Sequence, residues 1–306
     1  MSNAEERKKE RKKERKISVI IPVHNALDDL KILMESIIDK FNFSLGEIIL
    51  VNDCSNTETN LYLKELNRKH KNLNLIENDT NLGFIKSCNS GMSRAVGDIY
   101  CLLNSDTEIP FDFAEKIIKC FELNTDAGIA SPISSNSWIY HIPVKKGYNV
   151  DKMNILLNKK HKTKYPIIPS AEGFCFCIRR SVTEKIGFLD EVFGKGYHEE
   201  VDYSYRAIVN GWKNILIDNL YVFHKRHASF GIETREFLIK QNDKVFNERW
   251  SGFREKYIEE HNLKNPMEKI YWDLFSNDVL CKKLKQFFHI SFIKKIIKKI
   301  ISLQHE

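Results

Sequence analysis

The sequence lacks any run of about 18 uncharged apolar residues, so no membrane-spanning helix is expected. Residues 1–16 are mostly Lys, Arg and Glu and have no apolar centre. They read as a solvated charged extension rather than a secretory leader. An even set of cysteines is lacking too: there are seven, at positions 54, 88, 101, 120, 175, 177 and 281. Several lie inside apolar stretches, and the one-residue spacing of Cys175 and Cys177 is wrong for a zinc knuckle. They read as reduced thiols, the state expected in a cytoplasmic protein. No G-x-G-x-x-G follows the first strand-like run and no G-x-x-x-x-G-K-[ST] occurs, which disfavours a dinucleotide site and a P-loop. No nucleic-acid-binding motif is present either.

What remains is a chain of 306 residues, 42% hydrophobic and 29% charged, which suits a globular α/β domain with an appendage. The net charge of +7 is uneven, with basic stretches at 7–16 and 282–299 around a nearly balanced middle. Basic ends on a neutral body suit an anionic neighbouring surface.

From Ile17 the pattern changes. The β-branched run Ile17 to Val23 predicts a strand buried on both faces. Helical spacing follows over Asp28 to Phe41, with Leu30, Leu33, Met34, Ile37 and Ile38 on one face. Strands are predicted again over 47–51, 73–76 and 98–103, with helices between, the last from Phe84 to Val96. This alternation predicts a mostly parallel sheet flanked by helices. Ligands of such sheets lie beyond the carboxyl ends of the strands. All four ends carry small polar or acidic groups: His24 and Asn25; Asn52 to Ser55; Asn78, Asp79, Asn81 and Gly83; Asn104 to Thr107.

Ser18 to Asn25, Val51 to Ser55, Asn81 to Phe84 and Leu103 to Thr107 resemble glycosyltransferase family 2, in its rhamnosyltransferase-like branch. Glu199 to Arg206 resembles the family's E-D-x-D-x-x-x-R motif. Val222-Phe223-His224 with Ser229-Phe230-Gly231 resembles its late histidine motif, and Gln241 to Trp250 its usual end. The similarity covers roughly residues 17–250. It implies a GT-A (Rossmann-like) fold and a nucleotide-sugar donor, with domains at 1–16 (extension), 17–250 (GT-A domain) and 251–306 (helical extension).

The resemblance places Pro22, His24, Asn25, Asp53, Asn81, Gly83, Lys86, Asn104, Ser105 and Glu172 around the nucleotide sugar. Asp53 is implied to accept the N3–H of uracil or thymine; an Asx-turn is its plain alternative. Gly83 allows a tight turn before a helix whose N-terminus favours an anion. Lys86 is either a phosphate contact or an ordinary solvated lysine. Asn104-Ser105-Asp106 stands where the family often has D-x-D, so Asp106 is the expected ligand of Mn²⁺ or Mg²⁺. Its first Asp is replaced by Asn104, which should weaken metal binding without nucleotide. His224 is the expected second ligand, with His227 as alternative; imidazole suits Mn²⁺ better than Mg²⁺. The family's base is the second acidic residue, here Glu200 in place of Asp, with Glu199 as alternative. Arg206 is expected to brace that helix by a salt bridge. Glu172 belongs to a stretch implied to lie under the donor sugar and acceptor, or else to a core strand.

In the tail, apolar residues from Leu280 to Ile301 recur at helical spacing among seven lysines between Lys282 and Lys299. A basic amphipathic helix suits an anionic membrane surface, or packing on the main domain. The expected activity is inverting sugar transfer from a UDP- or dTDP-sugar to a glycan or lipid-linked acceptor, at or near the inner membrane face. A nucleotide-sugar-binding protein without catalysis is the alternative.

Overall fold

A computed structural model describes residues 16–225 and 236–275 in full and residues 232–235 by backbone. His227, the Ser229-Phe230-Gly231 motif, the charged extension over 1–15 and the tail from residue 276 lie outside the described residues.

The chain alternates as β1 (Ile17–Val23), α1 (Leu27–Lys40), β2 (Gly46–Asp53), α2 (Thr57–Lys69), β3 (Leu73–Asn78), α3 (Phe84–Arg94) and β4 (Ile99–Leu103). Then come β5 (Thr107–Glu108), α4 (Phe113–Leu123), β6 (Ala127–Ser134), α5 (Val150–Lys160), β7 (Cys175–Arg179), α6 (Arg180–Ile186), α7 (Glu199–Val209) and β8 (Lys213–His224). Three helices follow: α8 (Ile232–Trp250), α9 (Phe253–Glu260) and α10 (Pro266–Phe275). Among the described residues the strands form one sheet in the order β3-β2-β1-β4-β7-β6-β8-β5. β1 to β4 are mutually parallel and so are β6 and β8, while β7 and β5 pair antiparallel to their neighbours.

The period of two along β1 explains the layering. Val19, Ile21 and Val23 pack with α1 and α4 on one face, through Leu30, Leu33, Met34, Ile37, Phe113, Ile117 and Phe121. Ile20 faces the other layer, with Ile85 and Met92 of α3, Tyr203 of α7, and Met267, Ile270 and Leu274 of α10. Gly91 lets α3 lie close on the sheet: a Cβ there would meet Ile20 Cγ2 at 2.3 Å. The predicted helix over 84–96 ends at Arg94, because the chain must turn so that Gly97 N can donate to Ser18 Oγ beside the sheet.

The thiols follow the expectation of free cysteines: six are unpaired among the described residues. Cys101, Cys175 and Cys177 gather on one face of the β4–β7 pair, with the Sγ atoms of Cys101 and Cys175 3.7 Å apart inside the apolar core.

Candidate active site

The carboxyl ends of β1, β2 and β3 form one wall. His24 Nδ1 donates to the Asp53 carbonyl at 2.8 Å, which leaves Nε2 as an acceptor. Asn25 Nδ2 and Asn81 Nδ2 both donate to it, at 3.2 and 3.0 Å. Three residues singled out in the sequence therefore meet at one point. Asn25 and Ala26 have φ of 60° and 54°, left-handed backbone at the entry to α1. Pro22 lies one pleat below, paired with Val51.

Asp53 has a second task. Its carboxylate accepts from Leu82 N and Gly83 N, both at 2.8 Å, and from Asn78 Nδ2 at 2.9 Å. A carboxylate offers about four lone-pair sites, so three donors leave one. The residue thus fixes the loop before α3 and retains a single acceptor position. Gly83 in that loop has φ +86°, and a Cβ would meet Lys195 Cα at 3.2 Å, so the loop needs glycine twice over. Gly83 caps α3 without a side-chain hydrogen bond, leaving the helix N-terminus to its amides. Lys86 is exposed and lies 3.7 Å from Glu191 Oε2.

The second wall is built on β4, β5 and β8. β5 pairs with β8 so that Thr107 stands opposite His224, and Lys225 N donates to Asp106 O at 3.0 Å. Ser135 Oγ accepts from His224 N at 2.8 Å and donates to His224 O at 3.0 Å. The imidazole stacks on Phe174, with ring centroids 5.1 Å apart. Its Nδ1 donates to Asn136 O at 2.9 Å, which turns the Nε2 lone pair toward Asp106 Oδ1 at 3.4 Å and Asn104 Nδ2 at 3.5 Å. Neighbouring ligands of an octahedral ion with bonds of about 2.1 Å stand about 3 Å apart. The donor set therefore fits a divalent ion: one carboxylate and one imidazole whose tautomer is set by a backbone carbonyl. Asn104 and Ser105 are half-buried at the same strand end.

The third part is the start of α7. Tyr197 and His198 have φ of 75° and 74°, so the chain enters the helix through two left-handed residues. Glu199 is 6% exposed, and Glu200 is half-buried with its Oε2 sealed from solvent. Neither Oε2 has a hydrogen-bond partner. Burial, then the neighbouring charge of Glu200, pushes the Glu199 carboxyl well above the usual carboxylate range. Burial likewise raises Glu200, against the pull of backbone amides.

Glu172 turns toward the loop after β6. Its oxygens accept from Ser137 Oγ at 2.5 Å, Ile139 N at 2.9 Å and Tyr140 N at 3.2 Å. The next residue, Gly173, lies against Glu200: a Cβ would stand 3.6 Å from Glu200 Cγ.

Sequence reasoning missed how firmly α8 holds this region. Asn242 Nδ2 donates to the carbonyls of Phe193, Gly196 and Tyr197. Trp250 Nε1 and Arg249 reach Asp202 Oδ1 at 2.9 and 3.2 Å, and Asp243 pairs with His198 at 2.8 Å. The expected brace is present: Arg206 Nε meets Asp202 Oδ2 at 2.8 Å. The stretch Gln241 to Trp250 was the available signal.

These features, together with the strand order, define a GT-A sheet with polar and acidic side chains gathered at the carboxyl ends of its strands. The model of glycosyl transferase family 2 matches residues 18–187, and the chain belongs to that family. A dolichol-phosphate mannosyltransferase of Pyrococcus furiosus is 25% identical over 61% of this chain and 54% of its own. The chain spans between 33% and 61% of the lengths of three such relatives. Among solved structures, GalNAc-T7 with UDP, GalNAc and Mn²⁺ aligns with a TM-score of 0.57 at 18% identity, over 88% of this chain and 59% of that one. A mannosyltransferase of Pyrobaculum calidifontis in complex with GDP-Man and Mn²⁺ gives 0.55 at 14%, over 74% and 61%. Both likenesses bear on the fold.

Proposed function

We propose that this chain is an inverting, metal-assisted glycosyltransferase. It moves a hexosyl or rhamnosyl group from a UDP- or dTDP-sugar to an acceptor hydroxyl, in the synthesis of a bacterial cell-surface polysaccharide or glycolipid. The observation that carries this reading is the fixed pairing of His224 Nε2 with Asp106 Oδ1, 3.4 Å apart at the carboxyl edge of a family 2 sheet.

Asp106 and His224 would hold a divalent ion, which supplies charge stabilisation to the departing diphosphate. The one acceptor position left on Asp53 suits the N3–H of uracil or thymine, with His24, Asn25 and Asn81 beside it. Gly83 and the α3 N-terminus suit the diphosphate. Asn104, Ser105 and Lys86 complete the donor wall. Glu200 takes the acceptor proton as the hydroxyl oxygen bonds to the anomeric carbon and the bond to the diphosphate breaks. Glu199 is a second candidate for the same task. General-base help of this kind is worth about 10²–10⁴ in rate. Glu172 serves the site through the 137–140 loop. Structural neighbours holding Mn²⁺ with GDP-Man, or with UDP and GalNAc, support a divalent metal.

The domain boundaries at 16 and 250 belong to the same proposal, as does peripheral membrane contact through the basic tail. The tail's support is its sequence pattern, since no helix among the described residues is long and apolar enough to cross a membrane.

Thermal melting with a nucleotide panel tests the reading. UDP or dTDP at 100 times its dissociation constant should add about 2.7 kcal/mol, only with Mn²⁺, and Asp106→Ala should abolish the gain. No shift from any nucleotide would remove the proposal.

A further inference from the structure

Three thiols meet between β4 and β7. Cys101 pairs with Cys177 across the antiparallel ladder, and Cys175 stands opposite Leu103, two residues along. Residues two apart on a strand share a face, so the three side chains project together. Each is 0% exposed. The Sγ atoms of Cys101 and Cys175 are 3.7 Å apart, and all three Sγ atoms lie within 4.8 Å of one another. Thiolates bound at about 2.3 Å to a common centre stand roughly 3.3–4.0 Å apart. Small side-chain adjustments therefore complete a three-sulfur ligand set. Among the described residues no histidine or carboxylate joins the group, and the layer around it is apolar.

Burial decides what such a set can hold. Three thiolates carry three negative charges, and a net charge in an apolar core is costly. A monovalent ion leaves two of those charges uncompensated and a divalent ion leaves one. Zinc would also lack its fourth ligand. A trivalent centre with three ligands leaves a neutral complex. We propose that Cys101, Cys175 and Cys177 form a binding site for trivalent arsenic, taken up as arsenous acid. That acid is small and uncharged at neutral pH, and it enters on local opening of the core. Each sulfur bonds to arsenic as an As–O bond breaks, and each thiol proton leaves with the departing hydroxide. Three As–S bonds replace three As–O bonds and three waters are released. Arsenic stays trivalent, so no oxidant or reductant takes part. The site does not depend on the transferase reading, although Cys175 follows Phe174, whose ring stacks on His224.

The test titrates the full, folded chain with sodium arsenite at neutral pH and reads bound arsenic by native mass spectrometry and by X-ray absorption at the arsenic edge. Wild type should take up one arsenic with three sulfur neighbours. Cys54→Ser with Cys281→Ser should bind like wild type, whereas Cys101→Ala and Cys177→Ala should each lose at least tenfold in affinity. Wild type also reports by itself: alkylation after arsenite binding should spare Cys101, Cys175 and Cys177 and mark Cys54, which keeps the proposal testable should an alanine variant fail to fold. The site is overturned if wild type binds no arsenic, if arsenic has fewer than three sulfur neighbours, or if the spared cysteines are others. It is also overturned if a folded Cys101→Ala binds like wild type, or if Zn²⁺ displaces arsenic at equal concentration.

Discussion

Glu199 and Glu200 stand side by side with an unbonded oxygen each, in a place that water does not reach. Glu199 holds its proton in the folded state at pH values where the unfolded chain has released it. Folding therefore loses stability as pH rises from the ordinary carboxylate range, near 4.3, toward the raised value. Glu199→Gln keeps the shape and removes the charge. At pH 8 it should melt higher than wild type, by about 1–3 kcal/mol, and the gap should close as the pH falls to about 4. Calorimetry across that range measures it; a variant that melts lower at every pH would show that Glu199 is satisfied as an ion. The same burial bears on transfer. A base must be unprotonated, so activity should rise with pH through the raised value of Glu200.

At the scale of elements, α8 acts as a clamp. Asn242 is buried, and its side-chain amide lies within hydrogen-bond reach of three carbonyls of the 193–197 turn. Asn242→Ala should cost about 1–3 kcal/mol. Amide exchange should quicken over 193–198 while β1 to β3 stay protected. Uniform loss of protection would argue against a local clamp. The sequence made the sheet legible because each β-branched run is short and bounded, and because its motifs fall at strand ends. It did not reveal that β7 runs antiparallel, since a buried run such as Cys175 to Arg179 carries no direction. Nor could it reveal that Asp53 spends three acceptor sites on its own loop. Asn242 lies inside the Gln241 to Trp250 stretch, but nothing in that pattern shows which carbonyls its side chain reaches. The 137–140 loop was opaque because one carboxylate, more than thirty residues away, gives it its shape.

At the scale of the molecule, α10 is joined to the sheet through a charged latch. His161, after α5, bonds Asp218 of β8 at 2.9 Å and Asp273 of α10 at 2.7 Å. Burial works against the imidazolium, but the two carboxylates outweigh it and hold the His161 pKa above its usual value. This contribution is complete below about pH 6.5, and it fades as pH rises through the raised value. Amide exchange of α10, measured from pH 6 to 9 and corrected for its intrinsic pH dependence, should show growing release from the sheet. His161→Phe should remove that dependence. A wild-type profile as flat as the variant's would rule the latch out. Tyr271, whose hydroxyl donates to His141 O at 2.7 Å, holds the same helix independently of pH and should set the floor of the effect.

Cys54 directly follows Asp53, in left-handed backbone with φ 55°, and it is the exposed thiol among the described cysteines while the other five are buried. Under the proposed donor reading, a soft nucleophile stands beside Asp53, while the other described cysteines are buried. A nucleotide bearing a mild electrophile would then be delivered to this sulfur by the contacts proposed to seat the base. Such a site would offer covalent capture without any engineered residue.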